Sequence, residues 1–169
     1  KYNELKQLFE KNIIDKSNDN IANVASNLKF KILVVDDSPE ILKSTSNLVK
    51  KVIDKLNLDY EVISLTDGIE TLKQIFDDQS KNLVKIILTD EHMQLMNGSE
   101  SIKHIKRFYK DGKIKFDIKV ASITCFNDEG TCNNLKLAGI EEVVNKPISL
   151  SKMESLLCNF ISLIEKSNS

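Results

Sequence analysis

No run of apolar residues in the chain approaches the roughly 20 that a membrane-spanning helix needs. Neither charge is in surplus: 24 Lys and Arg stand against 25 Asp and Glu, a formal net charge of −1. General binders of nucleic acid or of anionic membranes need a basic surface, so this balance argues against both. Cysteine is scarce. Cys125, Cys132 and Cys158 are odd in number and form no CxxC pair, and His92 and His104 do not complete a zinc cluster with them. They are expected to be reduced thiols of an intracellular protein, packing as small buried hydrophobes. The start, Lys1-Tyr2-Asn3-Glu4, lacks the apolar core and small-residue cleavage site of a signal peptide. There is no internal repeat, low-complexity tract or long charge block. No GxGxxG follows an apolar run, which argues against dinucleotide binding.

What remains is ordinary globular material. The 169 residues are 41% hydrophobic and 29% charged, enough for one domain with a real core and some extra length. Residues 1–29 read apart from the rest. Tyr2, Leu5, Leu8, Phe9 and Ile13 recur at helical spacing, Lys16 to Asn20 breaks the pattern, and Ile21, Val24, Ala25 and Leu28 fit a second short helix or a linker. The expected organisation is a helical or linker segment over 1–29, one domain over 30–166 and a tail over 167–169.

From Lys31 onward, strand and helix patterns alternate five times. Ser38 is placed to cap a first helix with Pro39 at its first position. Ile41, Leu42, Leu48, Val49, Val52, Ile53 and Leu56 give that helix an apolar stripe. Tyr60 to Leu65 reads as a second strand, followed by a helix carrying Ile69, Leu72, Ile75 and Phe76. A third helix carries Ile102, Ile105 and Phe108. A short polar helix runs to Ala138, with Gly139 as its left-handed stop. Met153, Leu156, Leu157, Phe160, Ile161 and Ile164 mark a closing helix. Five such units imply an α/β fold, a parallel sheet covered on both faces by helices.

Four of the strand patterns end on residues suited to phosphoryl chemistry. Lys31 to Val35 runs into Asp36-Asp37, and Val84 to Thr89 into Asp90; Ile118 to Ile123 runs into Thr124, and Val143 to Asn145 into Lys146-Pro147. Ligands of open parallel sheets bind beyond the carboxyl ends of the strands, so three acids, a hydroxyl and an amine are candidates for one pocket. Acids gathered there would repel one another without a cation among them. Mg2+ suits such a set, since it takes one or two carboxylates, several waters and a phosphate. One carboxylate can then attack a phosphoryl group, with the metal, a lysine and a hydroxyl stabilising the transferring oxygens.

Val34-Val35-Asp36-Asp37-Ser38, Thr89-Asp90-Glu91-His92-Met93-Gln94-Leu95-Met96-Asn97-Gly98, Ser122-Ile123-Thr124 and Asn145-Lys146-Pro147 closely resemble the receiver domains of two-component response regulators. Asp67-Gly68 and Ala138-Gly139 also look like that family. The resemblance covers roughly residues 30 to 165. It implies a flavodoxin-like (βα)5 doubly wound sheet with strand order 2-1-3-4-5. It implies Asp90 as phosphoacceptor for a phosphohistidine, with Asp37 binding Mg2+ (or Mn2+) directly and Asp36 through water. His92 would contribute its backbone carbonyl to the metal, Lys146 would pair with the phosphoryl group before a cis bond to Pro147, and Thr124 would swing toward it. A domain of this kind catalyses its own phosphorylation and dephosphorylation, and its partners are a histidine kinase, a histidine phosphotransfer protein, or both. The expected location is cytoplasmic. The non-Met start, the helical lead-in and the end at Ser169 favour the C-terminal receiver of a hybrid sensor histidine kinase, a class that includes membrane-anchored parent chains; a free-standing regulator is the alternative.

Three positions depart from the family pattern. Val143 stands where an aromatic often moves with the threonine, which implies a weaker or differently routed switch. Gln94 replaces a common proline, leaving the loop after Asp90 freer to move, and Cys125 replaces a residue that is usually alanine. His92 and Phe126 flank the expected site and should hinder water. Two other classes fit the residues less well. A pseudo-receiver acting only as a binding module would normally have lost an acid or the lysine. A phosphatase of the haloacid dehalogenase type carries Asp-x-Asp after its first strand, not adjacent acids.

Overall fold

The computed structural model describes residues 29–78, 81–111, 117–126 and 128–167. The two helical patterns expected within residues 1–28 lie outside these. The order is β1 (Phe30–Val35), α1 (Pro39–Lys55), β2 (Tyr60–Leu65), α2 (Gly68–Asp78), β3 (Val84–Thr89), α3 (Gly98–Asp111), β4 (Lys119–Thr124), α4 (Glu129–Ala138), β5 (Glu142–Asn145) and α5 (Leu150–Ser167). The strands form one parallel sheet in the order β2-β1-β3-β4-β5. This is the doubly wound, flavodoxin-like arrangement.

Side-chain alternation along the strands divides the core in two. Ile32 and Val34 of β1 and Ile86 and Leu88 of β3 face the helices α1 and α5, whose Val49, Val52, Leu157 and Phe160 fill that layer. Leu33, Val35 and Ile87 face the other way, against Leu72 and Ile75 of α2, Ile102 and Ile105 of α3, and Leu135 of α4. All six residues of β3 are buried, as befits a central strand covered on both faces. The edge strand β2 has no fully buried residue.

Two local expectations are corrected. Ser38 occupies the N-cap position of α1 with Pro39 following, but its hydroxyl makes no capping bond and instead donates to Glu40 Oε2 at 3.3 Å. The first turn is held by the backbone, Leu42 N–H donating to Ser38 O at 2.9 Å. The cysteines are not buried hydrophobes. None of the three is in a disulfide, Cys125 and Cys158 are exposed and Cys132 is half-buried. Cys158 falls off the buried stripe of α5, and Cys125 sits in the loop after β4. The stop at Gly139 is as expected: φ is 97°, and its N–H donates back to Lys136 O at 2.9 Å.

Two lysines within the sheet are paired near the pole opposite the strands' carboxyl ends. Lys85 of β3, 4% exposed, reaches Asp117 at 2.7 Å. Asp78 accepts from Lys31 Nζ at 3.2 Å and from the N–H groups of Leu83 and Val84 at 2.6 and 2.8 Å. Among the described residues no helix is long and apolar enough to cross a membrane.

Candidate functional site

The strand order places the site. From β1, inside the sheet, the chain builds β2 on one side and then crosses to β3 on the other. A crevice therefore opens between the loops leaving β1 and β3. Register decides what meets there. Val35 pairs with Thr89, so the next residues, Asp36 and Asp90, stand side by side, with Asp90 N–H donating to Val35 O at 2.8 Å. Thr124 pairs with Asn145 across β4 and β5, and Lys146 N–H donates to Thr124 O at 3.0 Å. The Lys146–Pro147 bond is cis, as the sequence pattern implies.

From the end of β5 the Lys146 side chain reaches back over the sheet. Its Nζ lies 2.7 Å from Asp36 Oδ2 and 2.7 Å from Asp90 Oδ2. Burial would lower the pKa of this ammonium, but its bonds to Asp36 and Asp90 and their charges outweigh that, and the pKa stands above the usual lysine value. Asp36 is 4% exposed, and its second oxygen accepts from Ser38 N–H at 3.0 Å. Asp90 Oδ1 accepts from Glu91 N–H at 2.7 Å. Carboxylate oxygens of Asp36, Asp37 and Asp90 all lie within 4.8 Å of one another. Three carboxylates against one ammonium leave two negative charges uncompensated within the set. Oxygens on opposite sides of an octahedral Mg2+ stand about 4 Å apart, so this cluster has the size, the hard oxygen donors and the charge that a small divalent cation fits.

The remaining expected residues are Thr124 and His92. Thr124 is fully buried, and its hydroxyl oxygen accepts from Phe126 N–H at 3.2 Å. That leaves the hydroxyl hydrogen able to donate. His92 lies two residues beyond Asp90 with its ring exposed, packed edge-on against Phe126 at a centroid distance of 4.6 Å. Val143 is half-buried against the core layer of α2, α3 and α4.

Two acids that sequence reading left without a role tie down the loop after β3. Asp67, 6% exposed, accepts from the N–H groups of Leu95 and Met96 at 3.0 and 3.3 Å, and from Ile69 N–H at 2.9 Å. Glu91, 8% exposed, accepts from both the N–H and the hydroxyl of Ser99 at 2.8 and 2.7 Å. The Asp67-Gly68 pair was a visible signal for the first; nothing in the sequence marks the second. Gly98 is required where it stands, because a Cβ there would overlap the Asp90 carbonyl oxygen and the Thr89 side chain. Gln94 is exposed.

Fold and site together define a doubly wound α/β domain with an acidic, lysine-bridged pocket at its topological switch point. Residues 32–157 match the response regulator receiver domain family, and the chain belongs to it. No curated protein matches the chain. Among solved structures it resembles a chain of the CheX–CheY–BeF3–Mg+2 complex from Borrelia burgdorferi, at 20% identity and a TM-score of 0.64 over 78% of this chain and 89% of that one. A response regulator receiver domain protein from Clostridium thermocellum is 22% identical, with a TM-score of 0.63 over 79% of this chain and 94% of its own. The receiver domain of an HD domain-containing protein from Pseudomonas fluorescens is 17% identical, with a TM-score of 0.64 over 82% and 98%. At these identities the likeness is one of fold.

Proposed function

We propose that this receiver domain accepts a phosphoryl group on Asp90 from a phosphohistidine, in a reaction that depends on Mg2+ or Mn2+. One observation carries the reading: Lys146 bridges Asp36 and Asp90 at 2.7 Å each while Asp37 completes a cluster of carboxylates within 4.8 Å. Asp37 and Asp90 would hold the metal directly, with the His92 backbone carbonyl, and Asp36 through water. When bound, the cation neutralises the pocket's excess negative charge and charge on the transferring oxygens. A carboxylate oxygen of Asp90 attacks phosphorus, the bond from phosphorus to the imidazole nitrogen breaks, and the imidazole leaves. Lys146 then shifts its pairing from the Asp90 carboxylate toward the arriving phosphoryl oxygens. The Thr124 hydroxyl, with its hydrogen still to donate, turns toward the same oxygens.

The phosphoryl group brings about −1.5 to −2 charge into this pocket. Any conformation that improves its contacts with Lys146 and Thr124 gains population. The responsive surface is α4, β5 and α5, and half-buried Val143 supplies no aromatic to couple them. The partner is a histidine kinase or a histidine phosphotransfer protein, docking on the rim formed by 93–98 and the start of α1. Leu95 and Ile41, 74% and 37% exposed, give that rim an apolar character. Placement within a hybrid sensor histidine kinase belongs to the same proposal, and faster exchange with a phosphotransfer protein than with a separate kinase would support it.

The test is beryllofluoride with Mg2+, followed by NMR on the parent and on Asp90→Asn. Shifts spreading from 90, 124 and 146 in the parent alone are expected. Equal shifts in the variant would overturn the reading. His92 and Phe126, whose rings pack edge-on at 4.6 Å, would hinder water at Asp90, so making both small should shorten the lifetime of the acyl phosphate; an unchanged lifetime would remove them from that role.

A further inference from the structure

We propose that Glu91 is a positioning residue of the Asp90 site, holding the backbone that carries Asp90 and the His92 carbonyl against the first turn of α3; this rests on the reading of Asp90 as metal ligand and phosphoacceptor. Glu91 touches both sides of that junction. Its N–H donates to Asp90 Oδ1 at 2.7 Å, and its backbone oxygen accepts from Gly98 N–H at 3.1 Å. Its carboxylate takes both donors of Ser99, the N–H at 2.8 Å and the hydroxyl at 2.7 Å. The first N–H groups of a helix have no partner within it, and here two are satisfied by one residue seven and eight positions upstream.

An anion near a helix N-terminus is favoured by the helix dipole, so a cap is the simpler account of Glu91. The position of the tether sets it apart from an ordinary cap. A cap normally lies directly before its helix, whereas Glu91 lies directly after Asp90 and closes the whole intervening loop into a ring. Gly98, the first residue of α3, packs so tightly on the Asp90 carbonyl that no Cβ fits between them. Loss of the Glu91 bonds would let α3 and the Asp90 backbone separate, freeing the Glu91 N–H that orients one carboxylate oxygen of Asp90. Partners that orient metal ligands typically change metal affinity 10- to 100-fold when removed.

The experiment is a Mg2+ titration of the unphosphorylated protein by NMR, with amide exchange of Gly98 and Ser99 measured before metal is added. The variants are Glu91→Gln, Glu91→Ala and Ser99→Ala, and Ile105→Val serves as a control that loosens α3 from the core away from the loop. Roughly tenfold weaker Mg2+ binding is expected for the Glu91 variants, with a smaller loss in Ser99→Ala, which keeps the charge. Ile105→Val should match the parent. Should Glu91→Ala fail to fold, Glu91→Gln and Ser99→Ala decide the matter. Parental affinity in the Glu91 variants overturns the proposal, and so does a loss confined to them that high salt abolishes, since through-space charge would then explain it. A parent that binds no Mg2+ refutes the metal site itself; the tether is then judged on exchange alone, where unchanged protection of Gly98 and Ser99 in Glu91→Gln refutes it.

Discussion

Lys146 is the residue on which the pocket's electrostatics turn. Removing it leaves buried Asp36 and half-buried Asp90 as neighbouring acids without a counter-charge. Breaking a buried pair in this way costs about 3 kcal/mol. Lys146→Met should lower the urea midpoint of the metal-free protein accordingly, and Mg2+ should restore part of the loss. Asp37→Asn should act in the opposite direction, stabilising the metal-free protein by relieving repulsion while weakening its response to Mg2+. A third residue gives a pH signature. Burial, then the charges of Asp78 and Asp117, push the Tyr109 phenol up to about 12. Its neutral form is favoured in the folded state, so this stabilisation is complete below pH 10, the ordinary tyrosine value, and is lost as pH rises toward 12. A phenolate absorbance titration of the parent against Tyr109→Phe should show Tyr109 ionising near 12, and its early ionisation would contradict the placement. At this scale the sequence was readable where residue type names the chemistry, as with acids and a lysine at strand ends. It was not readable for Glu91, whose role depends on how a loop folds back on Ser99, nor for the cysteines, whose exposure depends on which side of an element they occupy.

Elements were legible by period. Alternation and continuous apolar runs marked the strands, and helical spacing marked α1, α2, α3 and α5, with Gly139 ending α4. Side-chain detail at helix starts was not, because several donors compete there: Ser38 turns to Glu40 and leaves α1 without a side-chain cap. The junction of β3 and α3 makes the sharpest prediction at this scale. Gly98→Ala would force a methyl group against the Asp90 carbonyl and Thr89. Overpacking of this kind costs about 1–3 kcal/mol, and the strain falls on the phosphoacceptor's own backbone. Both the unfolding midpoint and the rate of phosphorylation should drop; a variant with parental values for both would show that the junction is slack. Val143 bears on the next elements along. If the fifth strand and fourth helix show a full spectral change on phosphorylation, the missing aromatic has no consequence for the switch.

For the whole molecule, the two core layers and the parallel sheet bring the ends of β1, β3 and β5 to one pole, where Asp36, Asp37, Asp90 and Lys146 meet. Strand order was implied by the family resemblance, and register then follows from which apolar faces must be buried. Phe160, 1% exposed in the layer under α1 and α5, is the test of that packing. Phe160→Ala should cost about 3–5 kcal/mol and lower the midpoint without altering which residue takes phosphate. The central claim is about that residue. The most direct measurement is to incubate the domain with a phosphohistidine donor, with and without Mg2+, and to map the modified residue by mass spectrometry. One phosphoryl group on Asp90, present only with the metal and absent in Asp90→Asn, is the predicted result. Modification of Asp36 or Asp37 instead, or none from any donor, would contradict it.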